Sequence, residues 1–401
     1  MPRRNPPLSP EAAAAVAEIC FPIFDSHHHV WSGETEPRSN SRYVGLDFPK
    51  LGFNTPPRAP QSTGAPRPPG TKLFVSDDEA RKTIATLTDR GMMLVVEDYT
   101  WQDLVTDIEE AGVAASGTVY LEAGWTDVTN RPDETSRLQA IFHESGGRVA
   151  SGIQGFADML KPTAEFEDEL RAHMAHQNFR GIRWRPELPN GQFVTFDPAY
   201  LEHPHVRANV GALERLGLVW DVWYKGQKKS MTKMCVLLCE IARQHPTLTI
   251  VLDHFLTPVD VAKDDECFEM WKDCMQRFSR VPNFYVKVSG LMIDLGFEYH
   301  RQLRETGPFA KELASNRWGD LVRYTLDLFG PNRSLFGSNF PVDGWNVAYG
   351  ELLASYWIIC KEKGYTHADM KNVFSDTARR IYKIEQRNPR ANQRRVAPST
   401  L

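Results

Sequence analysis

The sequence predicts a (β/α)8 TIM barrel with a long Pro-rich loop after the first strand. Two observations point to it. Eight short, apolar, β-branched runs recur along the chain with helical patterns between many of them, the signature of parallel strands with crossover helices. Most of these runs are apolar in the middle and polar at the carboxyl end, as barrel strands are when they feed one shared pocket.

In order, the runs are PIFDSHH (22–28), GTVYLEAG (117–124), RVASGIQGF (148–156), FRGIRW (179–184), LVWDVWY (218–224), LTIVLDHF (248–255), FYVKVSG (284–290) and SLFGSNF (334–340). Helical periodicity is expected over 101–112, 206–217, 231–245 and 319–330. The last two stop before Pro246 and at Gly330. A ninth run, MMLVVED (92–98), is an extra strand or a helix within an insertion. Val119, Ile182, Val219, Leu252 and Val286, at strand interiors, are read as core.

The division expected is an N-terminal extension over 1–20, one barrel over 21–385 and a disordered basic tail over 386–401. Residues 32–75 form a proline-rich insertion that leaves the catalytic end of the first strand, where it is a lid or a plain surface excursion.

Composition limits the function. With 401 residues, 41% hydrophobic and 24% charged, the chain can bury a large core. A net charge of −4 and a pI near 6.3 argue against nucleic acid and anionic membrane as partners and favour a small molecule. Self-association into a homo-oligomer is left open. Six cysteines without a CxxC pair suggest neither a disulfide framework nor a cysteine zinc site. Glu11 and Glu18 break the apolar stretch a signal peptide needs, so a soluble, cytoplasmic protein is expected.

The polar residues at the strand ends are the site candidates: His27 and His29, Glu122, Gln154, Arg183 with Arg185, Asp221, His254, Lys287 with Ser289, and Asn339 with Asp343. Histidines at i and i+2 share a face, so His27 and His29 can bind a divalent ion while His28 points away. His254 is a third ligand, an acid/base, or a histidine capping a loop. Asp25 either orients a ligand histidine or bonds backbone amides. Arg183 and Arg185 also share a face and would grip a substrate carboxylate or close an internal salt bridge with Glu122 or Asp221, and Lys287 adds a further cation. His143, His173, His176, His203 and His205 are assigned to the surface.

The ordered set Asp25-Ser-His27-His-His29, FRGIRW, TIVLDHF, FYVKVSGL and FGSNFPVDG resembles the amidohydrolase-related family (amidohydrolase 2), from about residue 22 to 384. The resemblance implies a barrel that hydrolyses esters, lactones or amides, with decarboxylases as a more distant branch. It implies a divalent metal, zinc first, at His27, His29 and His254. The full pattern also has a histidine on the fifth strand and an aspartate on the eighth; here those places offer Asp221 with Lys225, and Asn339. An amide is no general base at neutral pH. The expected function is therefore opening of a lactone or cyclic ester of a carboxylate-bearing molecule. Arg183, Arg185, Asp221, Lys287 and Glu122 would bind substrate, and Asp343 or a metal-bound water would act as base. A metal-independent version, in which the histidines polarise the carbonyl, stays open. So do a metal-dependent decarboxylase and a barrel that binds ligand without turnover.

Overall fold

A computed structural model describes residues 7–32, 98–125, 130–186, 196–224, 228–258, 261, 264–290, 309–345 and 347–384. The tail, Lys225, nearly all of the 32–75 insertion and nearly all of the 92–98 run lie outside the described residues.

Eight parallel strands follow one another in chain order: β1 (Ile23–His28), β2 (Ala115–Leu121), β3 (Gly152–Gly155), β4 (Phe179–Arg183), β5 (Val219–Val222), β6 (Ile250–Leu252), β7 (Phe284–Val288) and β8 (Ser334–Phe336). Each lies within one of the apolar runs or overlaps it. Just beyond β8 the chain returns to β1, where the Asn339 amide donates to the His27 carbonyl at 2.7 Å and the His29 amide to the Phe340 carbonyl at 2.8 Å. Those two bonds bring the ends of the sheet together, and the result is a nearly closed (β/α)8 barrel.

Helices fill the intervals where the apolar period shifts to 3.6. The expected helix at 206–217 runs over Pro204–Arg215, because Pro204 suits a first turn and the His203 ring accepts the His205 amide. The one expected at 319–330 runs over Arg317–Phe329, with the Asn316 side chain accepting the Trp318 amide. Residues 101–112 form Trp101–Glu110, opened by a reciprocal Thr100–Asp103 cap. The N-terminal helix Pro10–Ala17 is tied to the barrel by Glu351, whose carboxylate accepts the Ser9 amide at 2.5 Å and the Ala310 amide at 2.7 Å. Among the described residues, no helix is long and apolar enough to cross a membrane. All six cysteines are free thiols, and only Cys20 is exposed.

The interior changes character along the barrel axis. At its floor Phe24, Val119, Leu121, Val219, Val251 and Leu335 pack together with Ala378, Ile381 and Tyr382 from the C-terminal helix region. Two residues further along the same strands, the inward positions become Asp221 after Val219, Asp253 after Val251 and Lys287 after Tyr285. An apolar plug thus supports a layer of buried charge. The five residues read as core at strand interiors are buried, as expected. His173 is not at the surface: it is fully buried, with Nδ1 against the Thr135 hydroxyl at 2.7 Å and Nε2 donating to the Phe156 carbonyl at 2.9 Å. It stands on the helix face turned to the barrel, where its ring stacks on Phe179.

β4 crosses β5 so closely that a Cβ at Gly181 would lie 1.9 Å from the Val219 carbonyl oxygen and 2.7 Å from Gln154 Oε1. Gly181→Ala should therefore lower stability by about 2–3 kcal/mol or more, because backbone cannot yield as a side chain can. Gly211, inside the helix Pro204–Arg215, has no neighbour closer than 3.4 Å to such a Cβ. Gly211→Ala should raise stability by roughly 0.5–1 kcal/mol through helix propensity. Denaturant midpoints of the two variants check both signs.

Candidate active site at the carboxyl ends of the strands

The first strand carries a register shift between Asp25 and His28. It lets Phe24 join the floor while His27 and His29 both turn inward. Their rings lie 5.1 Å apart, and His27 is 4.3 Å from the ring of His254, centroid to centroid. His29 Nδ1 donates to the Leu121 carbonyl at 2.8 Å, which leaves Nε2 of that ring as the acceptor. His28 faces outward, with Nε2 2.8 Å from the Thr118 hydroxyl. Asp25 serves backbone: Oδ1 accepts the amides of His27 and Ser338 at 3.1 and 2.9 Å, and Oδ2 accepts the Tyr349 hydroxyl. It thereby pins β1 to the segment after β8.

Beneath the histidines lies a buried ionic layer. The Lys287 ammonium donates to Asp221 Oδ1 at 2.5 Å and to His27 Nδ1 at 3.3 Å, and it pairs with Asp253 Oδ1 at 2.9 Å. Asp221 also accepts from the Tyr382 hydroxyl at 2.7 Å and the Gln154 amide at 2.5 Å. All five side chains around Lys287 are fully buried. Burial pushes the Asp221 carboxyl up to about 7, against the downward pull of Lys287. Burial also acts to raise Asp253, but Lys287 and His27 outweigh it and hold that carboxyl well below its ordinary range. Lys287 and Asp221 are thus engaged with each other below the pocket.

His254 reaches the pocket through an unusual turn. Residues His254, Phe255, Leu256 and Thr257 have φ of 54, 56, 64 and 41°, four consecutive non-glycine residues in the left-handed region. Each such residue is disfavoured by roughly 1–2 kcal/mol, so the surroundings must hold the turn. The Thr257 amide donates to the His254 carbonyl at 2.7 Å, Trp271 Nε1 donates to the Phe255 carbonyl at 2.9 Å, and His254 Nδ1 lies 2.8 Å from the Ser289 hydroxyl. Gly290, at φ 75°, packs so tightly on the imidazole that a Cβ there would be 2.3 Å from His254 Cγ. Burial holds the His254 imidazole down to about 3 and His27 and His29 well below the usual histidine range, with Lys287 adding to the effect at His27 and Arg183 at His29. All three are neutral at neutral pH.

At the pocket's other side the two arginines converge on one carboxylate. Arg183 donates from Nε to Glu122 Oε1 at 3.0 Å and from a terminal nitrogen to the Glu122 carbonyl. Arg185 makes a two-point contact, Nε to Oε1 and a terminal nitrogen to Oε2, both 2.9 Å. Both guanidinium groups lie over the Trp223 ring, at 5.9 and 5.5 Å. Burial acts to raise Glu122, and Arg185 with Arg183 overcome it and hold the carboxyl down to about 2. The internal salt bridge is therefore present for both arginines at Glu122, and a terminal nitrogen of Arg183 also lies 4.0 Å from Asp253.

After β8, Asn339 sits at φ 54° and its Nδ2 donates to Asp343 Oδ1 at 2.9 Å, while the Asp343 amide returns to the Asn339 carbonyl at 3.0 Å. Both residues are fully buried. The carboxylate missing from position 339 is thus followed, one helical turn on, by a carboxylate hydrogen-bonded to the asparagine.

Among the described residues, no three His, Cys, Asp or Glu side chains are grouped as a metal ion requires. His29 can offer Nε2, but the Nδ1 edge of His27 faces the Lys287 ammonium, and a fixed cation 3.3 Å from a ligand ring opposes a second, divalent one. In this arrangement His27, His29 and His254 do not fit a three-histidine metal centre.

Two residues of the ionic layer escape sequence reasoning. Asp253 had a signal, since it stands two residues after inward Val251 and directly before His254. Tyr382 had none: it lies beyond the last strand, and only the docking of the C-terminal helix under the barrel brings its hydroxyl to Asp221.

Comparison with known proteins agrees with this architecture. The family described as Amidohydrolase matches residues 24–384. An uncharacterized protein, y4mH, of Sinorhizobium fredii is 28% identical, over 71% of this chain and 86% of its own. An L-fucono-1,5-lactonase of Burkholderia multivorans is 24% identical, over 74% of this chain and 90% of its own. Among solved structures, an amidohydrolase of Burkholderia multivorans with bound zinc superposes with a TM-score of 0.61 at 20% identity, covering 90% of this chain and 99% of its own, and shares the barrel. With the family matched across nearly the whole barrel, the chain belongs to the amidohydrolase family.

Proposed function

We propose that this protein hydrolyses a lactone or related cyclic ester of a carboxylate-bearing small molecule. One observation carries the reading: two guanidinium groups, Arg183 and Arg185, converge at the pocket wall on Glu122, beside three neutral imidazoles, with Arg183 also 4.0 Å from Asp253. A pair of guanidinium groups at the wall favours an anionic substrate, and their planar shape suits a carboxylate. The name of the L-fucono-1,5-lactonase relative supports a lactone as the reacting group.

In this reading Arg183 and Arg185, braced by Glu122, hold the substrate carboxylate; His27 and His254 polarise the acyl carbonyl as hydrogen-bond donors, and His29, whose Nε2 is an acceptor, takes a hydrogen bond from a substrate hydroxyl. Water attacks the acyl carbon and gives a proton to Asp343, which Asn339 orients through its Nδ2. The ring C–O bond then breaks, and Asp343 returns the proton to the leaving alkoxide. Asp221 and Lys287 shape the field from below. The Lys287 ammonium beside His27 leads us to route no step through a metal ion.

The test is a pH-indicator assay of the purified protein against sugar-acid and dicarboxylate lactones, run beside a screen of aromatic carboxylates for CO2 release. Acid release from at least one carboxylate-bearing lactone is expected; CO2 release with no lactone opened would sink the proposal in favour of a decarboxylase. Arg183→Lys should raise KM about tenfold while shifting the unfolding midpoint little, because Arg185 retains its two-point hold on Glu122. A variant that unfolds readily but has normal kinetics when folded would show that Arg183 serves the salt bridge alone. Asn339→Asp sets two carboxylates at the 2.9 Å contact now made with Asp343, so one must keep a proton and the base is lost. Activity at neutral pH should fall at least tenfold on the scale of general-base loss. A zinc-dependent gain in rate would contradict this.

A further inference from the structure

Lys287 has a role that follows from its three contacts. An ammonium has three N–H donors and no acceptor. Here it meets Asp221 Oδ1 at 2.5 Å, Asp253 Oδ1 at 2.9 Å and His27 Nδ1 at 3.3 Å, in an environment closed to solvent. A histidine nitrogen facing an ammonium must present its lone pair, since an N–H there would point at another donor. The competing arrangement, in which His27 Nδ1 carries the proton and gives it to Asp253, meets a contact of 3.5 Å to an oxygen already paired with Lys287. The opposite nitrogen of the ring, His27 Nε2, is buried and has no hydrogen-bond partner among the described residues. Its ring lies beside those of both His29 and His254.

We infer that Lys287 is a positioning residue that fixes His27 in the Nε2–H tautomer, so that His27 presents a hydrogen-bond donor to the acyl oxygen of the substrate. The donor stabilises the negative charge that develops on that oxygen when water adds. Asp221 and Asp253 keep the ammonium in place, and Tyr382, from under the floor, keeps Asp221 in place. The role of the donor rests on the lactone reading above; the tautomer does not.

The full chain labelled with 15N-histidine, with the His27 ring assigned by its loss in His27→Asn, gives the tautomer from its two-bond 1H–15N pattern at neutral pH. The expected result is Nε2–H. An Nδ1–H pattern, or an unprotonated Nε2 held by a retained metal, overturns the inference. Lys287→Met removes the opposing donor, so His27 should turn to Nδ1–H facing Asp253, and Lys287→Arg should keep Nε2–H. If Lys287→Met does not fold, the wild-type spectrum still decides. On a lactone the chain opens, Lys287→Met should reduce kcat about 10²–10³-fold with KM changed only a few-fold, as removal of one oxyanion donor does; a fall in kcat/KM carried by KM alone would contradict the role. Failure of every lactone in the assay would leave the spectrum unaffected, so the two readings fail separately.

Discussion

The constraint on which the site depends is a cation buried where water cannot reach it. Lys287, on β7, stands between two carboxylates from β5 and the end of β6. Removing an ammonium from water is strongly unfavourable unless opposite charge and hydrogen bonds replace the solvent. Asp221 and Asp253 supply the charge, and Tyr382 and Gln154 take up the lone pairs of Asp221 that Lys287 leaves. That arrangement needs the strands in register, the floor sealed and the C-terminal helix docked. Fold and site are therefore coupled through one layer of side chains.

Above that layer the site is built by backbone that no strand or helix would adopt. A left-handed run of four residues delivers His254, and a left-handed Asn339 begins the turn that carries Asp343. Both are held by groups that also shape the pocket: Ser289 and Gly290 for His254, the β1 backbone for Asn339. Backbone strain at these points is consistent with sites that are over-determined by their surroundings. The pocket's charges are likewise divided by position. Arg183 and Arg185 meet Glu122 at one wall, Lys287 meets Asp221 and Asp253 beneath, and Arg183 links the two groups at 4.0 Å from Asp253. Three neutral histidines lie between them.

Much of this was legible in the chain before any coordinates. Apolar runs of strand length with helical periods between them bury both faces as a parallel sheet, and eight of them with polar carboxyl ends match a closed barrel, so the eight strands were readable from the pattern. The i, i+2 spacing put His27 and His29 on one face and His28 on the other, although the bulge that turns the pair inward has no signature in the residues. Arg183 and Arg185 sharing a face was also readable; which acid they would meet was not. Glu122 and Asp221 were equally good partners until the stagger of the strands, β2 and β4 both pairing with β3, brought Glu122 to the arginines. Burial of His173 turned on which side of its helix met the barrel. Sequence by itself determines local period, and through it the barrel and the strand ends that face the pocket. Only tertiary structure decided that Lys287 lies under His27, that Asp253 joins it, and that Tyr382 comes up through the floor, because each contact joins elements far apart in the chain whose meeting depends on shear, closure and docking.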